Sequence, residues 1–364
     1  MKESDIVDNN LEQSQETAQP ANVCSLDQLQ QIHEAGAKLV EALKHVADGD
    51  LVGEIVANSL KLLRDQTNRG DMKLIDKSFK ELRYALKMFA SYRDVRKVSI
   101  FGSARTPDTA PDYQAAVELA KQMVAAGWMV ITGAGGGIMA AGHGGAGAGP
   151  SFGLAIRLPF EQKTNPFIEG DPKLVNFKYF FTRKLMFVRS SHAIVCFPGG
   201  FGTMDEGFEV LTLIQTGKSV PMPVVLVDHP GGDFWRGWEA YVKNHLLARR
   251  LISPPDLNLF KVADSVEEAV QEVRHFYSNY HSIRYYRDEL IVRVHRPLTD
   301  EQVATINEKF ADLVVKGKFR ASPALPIEQD EPALMSLPRL IFNFNRRDHG
   351  RFRELINHLN GLPA

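Results

Sequence analysis

The segment Pro198-Gly199-Gly200-Phe201-Gly202-Thr203-Met204-Asp205-Glu206 begins where the apolar run Ala193-Ile194-Val195-Cys196-Phe197 ends and a helical pattern starts. A strand that turns into a helix through three glycines brings bare backbone close to whatever occupies the turn. The helix then directs its unpaired amides and positive dipole end at the same point. The segment therefore reads as a phosphate cradle made by Pro198, Gly199, Gly200, Gly202 and Thr203, with the Thr203 hydroxyl as a further donor. Glu206 does not fit a phosphate, which it would repel. One turn into the helix, it is placed to face a ribose or a reacting carbon.

The rest of the chain supplies a frame for that turn. Residues 1–24 are polar, lack apolar periodicity and read as a disordered tail. From Ser25 to about residue 94, apolar residues recur at helical spacing (Leu39, Leu43, Val46; Leu74, Ile75, Phe79, Leu82, Leu86), which predicts a helical N-terminal region. Over residues 95–280 short β-rich runs alternate with helical patterns: strands at Val98–Phe101, Met129–Ile131, Phe152–Ile156 and near Ala193 and Pro223, helices at Tyr113–Ala126 and Ile138–Gly145. That order predicts an α/β class, a doubly wound parallel sheet whose ligands lie beyond the carboxyl ends of the strands. Residues 281–364 read as a small α+β domain: a strand over 288–295, a helix from Thr299 as N-cap with Gln302 closing a capping box, a strand over 339–344 and a final helix through Leu359. Arg346, Arg347, Arg351 and Arg353 suit an anionic effector or an ordinary solvated helix start, and are read as the latter.

Composition narrows the function classes. The 364 residues carry a net charge of -1 with an isoelectric point near 6.8, so no long-range field nominates nucleic acid as a partner. Two cysteines, Cys24 and Cys196, make neither a disulfide framework nor a metal site, and no His or Cys cluster has ligand spacing. The expectation is a cytoplasmic protein with no metal, no cofactor and no membrane span, acting on a small ligand.

Two further glycine-containing turns follow strand-like runs. Gly102-Ser103-Ala104-Arg105 comes after Lys97 to Phe101, and Gly133-Ala134-Gly135-Gly136-Gly137-Ile138-Met139 after Trp128 to Thr132. Gly102, Ser103 and Arg105 are candidate ligand contacts because the first loop of a doubly wound sheet opens onto its crevice. Gly135, Gly136, Gly137 and Met139 are candidates in the second turn, although Met139, like Met186, is expected to pack rather than react. His143 is expected to be a local hydrogen bonder, and Asn165 either a base contact or a loop-ordering one. Asp205 suits a ribose hydroxyl or the helix start.

With Tyr179-Phe180-Phe181-Thr182-Arg183-Lys184, these ordered motifs resemble the LONELY GUY (LOG) family, also labelled "lysine decarboxylase-like" Rossmann-fold nucleotide-binding proteins. The resemblance spans roughly residues 97–276. It implies hydrolysis of a nucleoside 5'-monophosphate, AMP-like or a cytokinin riboside monophosphate, to free base and ribose 5-phosphate, with Arg183 and Glu206 as the catalytic pair. It also implies a homodimer or higher homo-oligomer. Ala140 departs from the family, which commonly has an acid after Gly-Ile-Met. The lysine decarboxylase label would require pyridoxal phosphate on a Schiff-base lysine, and no such constellation surrounds Lys184. The alternative is a nucleotide-binding sensor or carrier on the same fold, which would need the glycines but tolerate loss of Glu206.

Overall fold

The computed structural model describes residues 25–157 and 164–363. The expected disordered tail, including Cys24, lies outside the described residues. The chain divides into two compact units, Met1–Lys77 and Ser78–Ala364.

In the first unit, helix α1 (Leu26–Leu43) and helix α2 (Gly49–Arg64) pack against each other. Ser25 and Gln28 close a capping box at the start of α1, satisfying two orphan amides reciprocally. The helices meet through glycine: a Cβ on Gly36 would lie 2.2 Å from Leu60 Cδ1, and one on Gly53 3.2 Å from Val40 Cγ1. Helix α3 (Arg69–Ala90) begins in this unit and ends in the second.

The second unit is built on seven parallel strands: β1 (Lys97–Phe101), β2 (Met129–Thr132), β3 (Ser151–Ile156), β4 (Leu174–Phe177), β5 (Ala193–Cys196), β6 (Val224–Val227) and β7 (Lys261–Ala263). Their spatial order is β4-β3-β2-β1-β5-β6-β7. The chain winds one way from β1 to β4 and the other way from β5 to β7, so the order reverses between β1 and β5. That reversal opens a crevice at the carboxyl edge. The inner strands β5 and β6 are continuous apolar runs because both faces are covered. Along β5, Ala193 and Val195 face a core shared with helices α4 (Pro111–Ala125) and α9 (Val266–Phe276). Ile194 and Cys196 face another, shared with Ala85 and Phe89 of α3 and with helices α6 (Phe180–Ser190) and α7 (Phe201–Gln215). Helices α5 (Ile138–Ala146) and α8 (Phe234–Tyr241) follow β2 and β6. The doubly wound α/β reading holds.

The C-terminal segment forms a four-stranded antiparallel sheet from β8 (Tyr280–Tyr286), β9 (Glu289–Val294), β10 (Arg320–Ser322) and β11 (Arg339–Phe342), in the order β10-β11-β9-β8, with helices α10 (Asp300–Lys309) and α11 (His349–Asn360). Leu290, Val292, Phe342 and Leu355 join the same buried cluster as Val98 and Val195, so this sheet shares a core with the parallel one. Thr299 and Gln302 close the expected capping box. One expectation fails. Arg353 is not solvated: it is buried, bonds Glu272 at 2.5 Å and lies 4.4 Å from the Phe276 ring, tying α11 to α9. No helix among the described residues is long and apolar enough to cross a membrane.

Candidate functional site

Three loops meet where the strand order reverses. The Ser103 amide, after β1, donates to the Pro198 carbonyl after β5 at 3.1 Å, and the Ser103 carbonyl accepts the Ile138 amide at the start of α5 at 3.0 Å. The approach of the loops excludes side chains. A Cβ on Gly137, whose φ is +58°, would sit 2.2 Å from the Ser103 oxygen, and one on Gly199 2.1 Å from Thr203 Oγ1 and 3.0 Å from the Ser103 nitrogen. A Cβ on Gly200 or Gly202 meets nothing within 4 Å, so those two present bare backbone to open space at the start of α7. The N-cap Gly200 supplies no side chain to the first-turn amides.

The second loop is held from below. Ala134 has φ +64°, a costly conformation for a residue with a Cβ. Its amide donates to Thr132 Oγ1 at 3.0 Å and its carbonyl accepts the Asn165 amide at 2.9 Å, while Asn165 Nδ2 donates to the Gly135 carbonyl at 3.0 Å. His143 Nε2 donates to the Phe152 carbonyl at 3.0 Å, leaving Nδ1 to accept from Asn165 Nδ2 at 3.1 Å. Burial holds the imidazole pKa below its ordinary value. Asn165 orders the loop, and His143 is the local hydrogen bonder expected.

The loops enclose an open cavity of about 850 Å³ at the carboxyl edge. Of the expected contacts, Gly102, Ser103, Arg105, Gly135, Met139, Gly199, Gly200, Gly202, Thr203, Arg183 and Glu206 line it. Gly136, Gly137 and Pro198 shape the loops without lining it. Asp205 also lies outside the lining, its carboxylate 2.9 Å from Lys184 Nζ. Met139 packs as expected, close over Gly133 and Gly135. The sequence reading did not include the aromatic wall of Phe101, Phe180, Phe187 and Phe234. Phe101 and Phe180, beside two of the motifs, were the only signal of it.

Arg183 and Glu206 come together from α6 and α7: Nη2 lies 3.6 Å from Oε1. The guanidinium carbon is 5.1 Å from the Phe180 ring and 5.7 Å from that of Phe187, an arrangement that orients a planar cation. Glu206 is buried, and burial raises its carboxyl pKa, partly offset by Lys184 and Arg183. Its neighbour Cys196 has a thiol pushed up to about 12, by burial and then by the Glu206 charge. A shielded carboxylate beside a fixed guanidinium can take a proton from water, or stabilise a positive centre.

The family model described as "possible lysine decarboxylase" matches residues 136–273. No curated protein matches the chain. Solved structures similar to it include the molybdenum cofactor binding protein from Rippkaea orientalis, with 18% identity over 50% of this chain and 96% of that one at a TM-score of 0.36. The molybdenum cofactor carrier protein from Chlamydomonas reinhardtii has 20% identity over 50% of this chain and 96% of that one, also at 0.36. DNA processing protein A from Helicobacter pylori has 12% identity over 50% and 81% of the two chains, again at 0.36.

Proposed function

We propose that this chain, whose residues 136–273 match the family described as "possible lysine decarboxylase", hydrolyses the N-glycosidic bond of a nucleoside 5'-monophosphate, AMP-like or a cytokinin riboside monophosphate. The observation that carries the reading is the approach of Arg183 to Glu206, at 3.6 Å, on the wall of a cavity floored by the Gly199–Thr203 turn.

With the phosphate on the amides at the start of α7, the ribose extends toward Glu206. As the C1'–N bond breaks, its electron pair leaves with the base and positive charge grows on C1' and the ring oxygen. The Glu206 carboxylate stabilises that charge, orients a water and takes its proton as the water oxygen bonds C1'. The proton required by the leaving base balances the one removed from water. The raised pKa of Glu206 suits a group that takes up and returns a proton. Arg183 holds Glu206 and adds positive charge to a wall that must also receive an anion.

The family description would imply pyridoxal phosphate, which needs a lysine to carry it. The residues present do not fit that group: no lysine is among the described residues lining the cavity, and Lys184 is engaged by three carboxylates. By family resemblance the chain is proposed to work as a homodimer or higher homo-oligomer, which light scattering would test.

The deciding experiment incubates the protein and its Glu206→Gln variant with a panel of nucleoside 5'-monophosphates and follows free base and ribose 5-phosphate. The hydrolase reading expects release by the wild type and a fall of about 10²- to 10⁴-fold in the variant with nucleotide binding retained. Binding by both proteins without release by either would replace it with the sensor or carrier reading.

A further inference from the structure

Lys184 lies next to the candidate catalytic arginine but does not line the cavity. Its Nζ is 2.7 Å from Glu209 Oε2, 2.9 Å from Asp205 Oδ2 and 3.2 Å from Glu206 Oε2. An ammonium has three hydrogens, and each finds a carboxylate here. All three acids come from one face of α7, while Lys184 comes from α6, so a single cation is divided among three anions across the helix pair. Glu206 has the longest of the three contacts. Its two oxygens have different partners, Oε2 facing Lys184 and Oε1 facing Arg183.

We propose that Lys184 is a positioning residue for Glu206: it anchors Oε2, leaving Oε1 on the Arg183 side, and keeps the buried carboxylate ionised to an extent that Glu209 and Asp205 set by competing for the same ammonium. The inference rests on Glu206 being the base of the proposed hydrolysis.

Among the described residues, the charges facing Glu206 are few. From α6 come Arg183 and Lys184, from α7 Asp205 and Glu209, and from β5 Cys196, whose thiol stays neutral with its pKa pushed up to about 12. Two cations thus face three carboxylates. Burial works against the Lys184 charge, but bonds to Glu209 and Asp205 outweigh it and hold the ammonium protonated. A lysine serving only to fasten α6 to α7 would have done so with Glu209 alone. The second oxygen of Glu206 would then have needed no partner on α6.

This arrangement predicts opposite effects from two substitutions. Removing the cation should raise the pKa of Glu206. Removing Glu209 frees the ammonium and deletes a like charge, so it should lower it. The experiment labels glutamate side chains with ¹³C in the full chain, assigns Glu206 by loss of its signal in Glu206→Gln, and titrates wild type, Lys184→Met and Glu209→Gln. The expected midpoint shift is upward by about 1 to 3 pH units for Lys184→Met and downward by about half a unit or more for Glu209→Gln. Unmoved midpoints, or shifts in the same direction, would overturn the proposal. If Lys184→Met does not fold, Glu209→Gln decides alone: a lowered midpoint supports the proposal and an unchanged one refutes it. Since the readout is titration rather than turnover, a protein that releases no base yet shows the opposed shifts would lose the hydrolase reading and keep the Lys184–Glu206 coupling.

Discussion

The Glu81 carboxylate accepts the Thr182 hydroxyl through Oε2 and the Lys178 amide through Oε1, each at 2.7 Å. Glu81 lies on α3, far from α6 in sequence, yet it holds the backbone just before that helix and a hydroxyl in its first turn. The residue at the N-cap, Tyr179, makes no side-chain bond to the helix. A buried carboxylate at that end complements the helix dipole. Arg183 and Lys184 follow within a turn, so the placement of both candidate cations depends on this acid.

Replacing Glu81 with alanine is therefore expected to destabilise the chain by about 1 to 2 kcal/mol, since the part-buried Lys178 amide loses its acceptor while the Thr182 hydroxyl keeps the Tyr179 carbonyl at 2.9 Å. Glu81→Gln, which keeps one oxygen acceptor, should cost less. Urea unfolding of both variants checks this, and an alanine variant with the wild-type midpoint and slope would refute this role of Glu81.

The glycines of the α7 turn should separate by function. In Gly199→Ala the new methyl meets Thr203 Oγ1 at 2.1 Å and the Ser103 nitrogen at 3.0 Å, so the loops must move apart, at about 1 to 3 kcal/mol. In Gly200→Ala it enters open space, and stability should change by no more than about 0.5 kcal/mol. Because Gly200 lines the cavity, that variant should still lose nucleotide affinity. Paired thermal melts with calorimetric AMP titration test both halves, and equal destabilisation by the two alanines would contradict the packing argument.

Acid should weaken the fold through His192. Its Nδ1 accepts the Lys97 amide at 3.2 Å, and burial, then the nearby Lys97 and Arg96 charges, push its pKa to about 4. The unfolded chain takes up that proton near the ordinary value of about 6.5, so between these values the unfolded state binds more protons. The stabilisation is complete above about 6.5 and is lost as the pH falls toward 4, amounting to roughly 3 kcal/mol at most. His281, pushed to about 4 by burial and by His295, adds to the same slope. Urea midpoints measured from pH 7 to 4 should decline less steeply in His192→Gln. A variant with the wild-type slope would exclude His192 as a source.

Features that depend on neighbours in the chain were legible in the residues. The strand-to-helix turns at Gly102, Gly133 and Gly199, and the Thr299–Gln302 capping box, needed only local spacing. Short strands were not legible: β10 has three residues, largely exposed, and β7 also has three. Neither has a pattern of its own, because pairing with β11 and β6 makes them strands. Arg353 misled because a charged helix start looks the same whether it faces water or a buried glutamate.

The sequence by itself determined that strands end in glycine turns, that a helix amide cluster follows the β5 turn, and that an arginine and a glutamate stand on two separate helices. These are consequences of backbone freedom and periodicity, which act over a few residues. Only the tertiary structure decided that Arg183 faces Glu206 at 3.6 Å, that one lysine is divided among Asp205, Glu206 and Glu209, and that Glu81 holds the start of a helix from another part of the chain. Such pairings depend on how the two faces of the sheet pack their helices together, and charge partners chosen by packing leave no periodicity for a sequence to display.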